Sequence, residues 1–103
     1  MNLKSILVAG ALTVCASIAH AADYEVIIKG FAYEPAVLTI AAGDTVTFVN
    51  QDNAPHTATD KAGAFDTGRL TRGGEASLTF NGAGTYDYFC ALHPNMTAQI
   101  VVE

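Results

Sequence analysis

Tyr86-Asp87-Tyr88-Phe89-Cys90-Ala91-Leu92-His93-Pro94-Asn95-Met96 is the stretch on which the reading of this chain turns. It opens as a strand. Thr85 to Phe89 is aromatic and β-branched and follows Gly82-Ala83-Gly84, a composition that suits a pleated, half-buried surface bounded by a turn. With a period of two, Tyr86, Tyr88 and Cys90 share one face and turn inward, while Phe89 points outward beside Cys90. The strand then gives way to a tight loop in which Cys90, His93 and Met96 recur at even steps of three. At a strand end, such a loop can aim three side chains at one point.

Outward from this stretch the chain reads as more strands. Tyr24 to Lys29 is rich in β-branched residues. Val37 to Ile40 and Thr45 to Val49 are short strand-like runs with Ala42-Gly43-Asp44 as the turn between them. Ala76 to Phe80 alternates, with Leu78 and Phe80 on one face, and Gln99 to Val102 closes the chain. No capped amphipathic helix pattern is present beyond the N-terminal segment. Short strands at close, regular spacing predict an all-β sandwich or barrel. Residues 51–74 are polar and Gly-rich and carry the weakest pattern.

The N-terminus reads differently. Lys4 precedes an apolar run from Ile6 to Ile18, followed by Ala19-His20-Ala21. A basic start, a short apolar run and a small-x-small site predict a secretory signal peptide over residues 1–21, leaving a domain over 22–103. The run is shorter than the roughly 20 residues a spanning helix needs. A lipid anchor on Cys15 is the lesser alternative, because bulky Val14 precedes it. The expected product is a soluble, periplasmic, monomeric protein with no membrane attachment.

Residues 22–103 hold one cysteine, Cys90, and two histidines, His56 and His93. Four bases face ten acids, a formal charge of −6. With no basic cluster in the sequence, nucleic acid is not an expected partner. The sign of the charge favours a partner with a basic docking face. A single cysteine has no intramolecular disulfide partner, so in an oxidising compartment it is either a buried small hydrophobe or a metal ligand.

His56 follows Pro55 in an earlier loop. One thiolate, two imidazoles and a thioether are the donors of a mononuclear blue-copper site: two His and one Cys, roughly trigonal, with a weak axial Met. Structural zinc also takes Cys and His, but favours more cysteines and does not use methionine. The candidate ligands are therefore His56, Cys90, His93 and Met96, with copper as the cofactor.

The chain resembles the cupredoxins, and within them the amicyanin type, with pseudoazurin and plastocyanin more distant. The likeness rests on Tyr33-Glu34-Pro35, Leu38-Thr39-Ile40, Ala42 to Asn50, Pro55-His56, Leu78-Thr79-Phe80, Ala83 to Tyr88, the Cys90-x-x-His93-x-x-Met96 loop and Val101-Val102-Glu103. Residues 57–74 match poorly. The resemblance implies a Greek-key β-sandwich of about eight strands with one type 1 copper at one end. It implies that Asn50 holds the ligand loops together, its backbone N–H donating to the Cys90 sulfur. Amicyanin-like loops often carry proline where this chain has Leu92, whose N–H is a second candidate donor to that sulfur.

The function implied is outer-sphere transfer of single electrons between redox proteins, such as a periplasmic dehydrogenase and a c-type cytochrome, without catalysis. His93 is expected at the surface, ringed by Pro55, Leu92, Pro94 and Leu70 as an apolar contact patch. Phe89 is a second candidate entry point for electrons, though a packed aromatic explains it as well. A copper carrier would need a more open, exchangeable site. A copper enzyme would need a second metal site, and no spare histidines exist for one in residues 22–103.

Overall fold

The structure is a computed structural model that describes residues 20–103. The expected signal peptide therefore lies almost wholly outside the described residues. Eight strands follow in order: β1 (Asp23–Ile28), β2 (Tyr33–Glu34), β3 (Val37–Ile40), β4 (Asp44–Asn50), β5 (Thr59–Asp60), β6 (Glu75–Phe80), β7 (Gly84–Cys90) and β8 (His93–Val102). They form two four-stranded sheets, in the orders β2-β1-β4-β6 and β3-β8-β7-β5. The all-β expectation holds, and among the described residues there is no helix.

Alternation builds the core. In β4 every second residue from Asp44 to Asn50 is buried, as the two-residue period of a strand requires. Val46 and Phe48 face Tyr88 and Ile100 of the other sheet, all four fully buried. Phe65, outside any strand, joins this layer, with ring centroids 6.0 Å from Phe48, 5.2 Å from Phe80 and 5.8 Å from Tyr88.

Two features differ from the sequence reading. The last strand begins at His93, not Gln99. Cys90 and His93 are register partners across a turn of Ala91 and Leu92, with a bulge between Phe89 and Cys90. Pro94 is tolerated there because β3 pairs with β8 only in the stretch that includes Gln99 to Val102, so its missing N–H leaves no ladder bond unmade on that side. The poorly patterned segment also has order. β5 pairs with β7, and bridges join Thr59 to Asp66 and His56 to Leu70. A buried carboxylate supports the intervening turn: Asp60 Oδ2 accepts the amides of Ala62 and Ala64 at 3.0 and 2.9 Å.

β1 and β4 run parallel, with Ile28 opposite Asn50. β7 and β8 meet beside them at the same end of the sandwich. Three loops therefore converge there, after β1, after β4 and between β7 and β8.

Candidate metal centre

His56 is anchored from both sides. Its N–H donates to Leu70 O at 3.0 Å and its carbonyl accepts from Leu70 N at 2.7 Å. The loop before it winds around the buried Asn50 side chain. Asn50 Nδ2 donates to Ala54 O at 2.9 Å and Leu70 O at 2.8 Å, and Asn50 Oδ1 accepts from Asp52 N at 2.9 Å. An amide group suits this position because it offers two donors and an acceptor in one plane. Cys90 and His93 are brought together by the β7–β8 turn, and Cys90 is fully buried.

The donor atoms converge. His56 Nδ1 and His93 Nδ1 are 3.2 Å apart, and Cys90 Sγ lies 3.7 Å from the first and 3.6 Å from the second. The point equidistant from all three is about 2.0 Å from each, the length of a metal–imidazole bond at ~2.0–2.1 Å. The site thus fits one small cation in the plane of three donors. His56 Nε2 donates to Asp52 Oδ2 at 2.8 Å, which fixes the tautomer and leaves Nδ1 with its lone pair free. Met96 is buried and lines, with His93, a cleft of about 560 Å³ open to solvent.

Asp52 is the hub of the outer part of the site. Its two oxygens accept the amides of Gly30 at 2.8 Å and Phe31 at 2.9 Å. Burial alone would push its carboxyl up. The Phe31 and Gly30 amides and the His56 ring outweigh that and hold it below the usual carboxylate range. The same amide bonds pin Phe31 at φ 57°, in the left-handed region that a bulky residue seldom enters. Its ring consequently sits edge-on against both histidines, at 4.9 Å from His56 and 4.8 Å from His93.

The expected sulfur contact is corrected. The Asn50 N–H donates to Gly74 O at 3.0 Å, not to Cys90. Among the described residues the backbone amide at Sγ is that of Thr57, at 3.4 Å, rather than that of Asn50 or Leu92. Thr57 Oγ1 also accepts the Ala91 amide at 2.8 Å. Thr57 is thus the cross-tie between the ligand loops, while Asn50 organises only the His56 side. Leu92 occupies the β7–β8 turn and is partly exposed. The Thr57 carbonyl in turn accepts from the Tyr33 hydroxyl. Burial, then Cys90 and Tyr88, push the Tyr33 phenol up, so it remains a protonated donor.

The surface around His93 also departs from expectation. Leu70 belongs to the core, at 7% exposure, and Phe31 takes its place on the rim, at 52%. Leu92, Pro94 and Pro55 remain partly or fully exposed, as anticipated. Phe89 is half-buried on the outer face, opposite Thr59 and Thr97. Thr57 and Phe31 were invisible as site residues because neither is a ligand type; the one available hint for Thr57 was its place directly after His56.

The comparisons with known proteins agree with this geometry. Residues 3–102 match the family of cupredoxin-like domains. The chain is 40% identical to amicyanin of Paracoccus versutus, over 74% of this chain and 61% of that protein. It is 36% identical to amicyanin-alpha of Methylorubrum extorquens, over 94% and 85%. It spans about three fifths of the length of the Paracoccus amicyanins it matches. Among solved structures, the Cu(I) form of a point mutant of amicyanin superposes with a TM-score of 0.74 at 39% identity, covering 85% of this chain and 88% of that one. A Cu-containing nitrite reductase from Thermus scotoductus SA-01 matches with the same score at 30% identity, but over only 25% of its chain. With His56, Cys90 and His93 arranged as a type 1 copper site, the chain belongs to the cupredoxin family.

Proposed function

We propose that this protein is a mononuclear copper electron carrier, in which His56, Cys90, His93 and Met96 would hold the copper. The observation that carries the reading is the convergence of the three donor atoms around one point at metal-bond distance. Bound copper would supply a one-electron Cu(II)/Cu(I) couple, since thiolate and thioether suit Cu(I) and imidazole suits both states. The chain's own residues do the rest. Asn50 and Thr57 fix the loops. Asp52 sets the His56 tautomer. The Thr57 N–H withdraws electron density from the sulfur, which favours the reduced state. Donors held in place by these hydrogen-bonded loops limit rearrangement between oxidation states. His93, half-buried beneath Phe31, Leu92 and Pro94, is the route by which an electron reaches the surface.

The site is built for transfer rather than turnover. Both loop histidines serve one metal, and the likeness to nitrite reductase covers a quarter of that enzyme. The amicyanin likeness suggests a periplasmic dehydrogenase as donor and a c-type cytochrome as acceptor, in a protein exported and processed after Ala21. The purified protein with Cu(II) is expected to be intensely blue from thiolate-to-copper charge transfer, and Cys90→Ser to be colourless. A Cys90→Ser protein that stays blue refutes the ligand set. The intact mass of exported protein should begin at Ala22.

A further inference from the structure

Charge is unevenly placed on this molecule. Of the four bases in residues 22–103, three sit on segments that frame the metal centre. Lys29 directly follows Ile28, the register partner of Asn50. Arg69 directly precedes Leu70, which pairs with His56. Arg72 precedes Gly73 and Gly74, which bond the Asn50 carbonyl and amide at 2.7 and 3.0 Å. Lys29 and Arg72 line one cleft of about 520 Å³ together with Gln51. The Arg72 guanidinium is steadied by Asn53 Oδ1 at 2.7 Å. All three bases are exposed.

The acids near them do not pair with these bases. Asp52 is engaged by two amides and His56. Glu75 stands opposite Val49 and Glu34 opposite Ile27, one step further from the metal end. Among the described residues the one pair within ion-pair distance is Asp52 with His56, so Lys29, Arg69 and Arg72 carry no carboxylate partner there. Asp23, Asp44 and Glu103 lie at the opposite end of the strands. Lys29 lies two residues from Phe31 in one loop, and Phe31 lines the cleft beside His93.

We propose that Lys29, Arg69 and Arg72 form a basic docking rim beside the metal centre that receives carboxylates on the acidic face of a redox protein. The proposal rests on the reading that electrons leave through His93. It departs from the expectation, drawn from the net charge of −6, of a partner with a basic face. A docked partner responds to charges within a Debye length, about 8 Å at physiological salt, and not to the molecule's total. Arginine is suited to this, because its planar fork pairs with carboxylates in two parallel bonds.

The anion hexacyanochromate(III) is a paramagnetic probe that needs no electron transfer. Added to the Cu(I) protein, it should broaden backbone amide signals of residues 29–31 and 69–73, and salt should remove the broadening. In the Lys29→Glu/Arg72→Glu variant the broadening should be lost at those positions. The kinetic counterpart is oxidation of the Cu(I) protein by hexacyanoferrate(III). Its rate should fall as salt is added, and fall about tenfold at low salt in the double variant. Oxidation by the cation tris(phenanthroline)cobalt(III) should instead speed up in that variant. Broadening absent from the rim, or unchanged by the double charge reversal, overturns the proposal. So does a hexacyanoferrate rate that rises with salt, as the net charge alone requires. If the protein proves unable to transfer electrons, the relaxation map still decides whether the rim binds anions, so the two failures remain distinct.

Discussion

Two aspartates bracket β4, and comparing them separates what builds the fold from what builds the site. Asp44 opens the strand and Asp52 follows its end. Each accepts the backbone amide of the residue 22 positions earlier: Ala22 before β1 at 2.8 Å, and Gly30 after β1 at 2.8 Å. The shared offset is the register of the parallel β1–β4 pair, in which Asp23 faces Thr45 and Ile28 faces Asn50. The same device thus clamps both ends of β1. The second oxygen makes the difference. Asp44 Oδ2 closes a local turn on Ala41 N at 2.9 Å. Asp52 Oδ2 takes the Phe31 amide and His56 Nε2. One clamp ends in a turn and the other in a metal ligand.

The largest expected effect lies inside the metal end. Asn50→Ala deletes three side-chain bonds at a fully buried position and strands the Ala54 carbonyl and the Asp52 amide, while the Leu70 carbonyl keeps only the His56 N–H. Unsatisfied buried groups cost about 1–3 kcal/mol each, partly recovered by relaxation, so a loss of about 3 kcal/mol is expected by denaturant unfolding. An unchanged midpoint would show that the His56 loop does not depend on Asn50.

At the opposite end, Asp44→Asn replaces one acceptor oxygen by a donor that faces an amide. In a chain beginning at Ala22, that contact is an α-ammonium against a carboxylate, and such charge-assisted bonds contribute about 1.5–3 kcal/mol. The expected loss is about 2 kcal/mol, with the absorption spectrum of the copper protein unaltered. A spectral change would mean that the two ends are coupled through β4 and that the division drawn here is too sharp.

Asp52→Asn should cost less stability, about 1 kcal/mol, because the group is partly exposed. It should alter the site more, since the His56 tautomer loses its anionic partner. It should also change the acid response of the metal-free protein. The folded Asp52 carboxyl titrates below its unfolded value of about 3.9. Its contribution is therefore fully present above that value and is lost as pH falls through the lower, folded one. Urea midpoints below about pH 4 should fall less steeply in Asp52→Asn than in the parent. Parallel curves would show that the carboxylate does not stabilise the fold.

What could be read in advance follows the same division. Strands with several alternating residues, such as β4 and β7, announce themselves through burial on one face. The three converging donors announce themselves because the one Cys and two His of residues 22–103 have few other joint explanations. β2 and β5, two residues each, are too short to carry a period. The Asp44 and Asp52 clamps depend on a parallel register spanning 22 residues, which no local pattern encodes. Thr57 acts mainly through its backbone and hydroxyl, and Phe31 through a loop conformation imposed by Asp52. Strand β8 starts early because a Pro that usually ends a strand is harmless on an unpaired side.

The smallest expected effect tests the layer between the two ends. Tyr88 and Tyr33 meet edge to face at 4.7 Å, yet their hydroxyls fare differently. Tyr33 donates to the Thr57 carbonyl. The Tyr88 hydroxyl is buried with no hydrogen-bond partner among the described residues, and burial pushes its phenol up. Tyr88→Phe removes a desolvated group and leaves a gap of a single oxygen. The first change favours the fold by roughly 1 kcal/mol or more and the second opposes it by less, so a small gain, below about 1 kcal/mol, is expected. Tyr33→Phe should instead lose about 1 kcal/mol. It should also shift the charge-transfer band of the copper protein, because Thr57, which the hydroxyl holds, donates its own amide to Cys90. If both substitutions leave the band in place, the Tyr33 contact is only packing and the influence of the core stops short of the sulfur. If Tyr88→Phe destabilises as much as Tyr33→Phe, the hydroxyl has a partner in solution and the aromatic layer is no less polar than the end it supports.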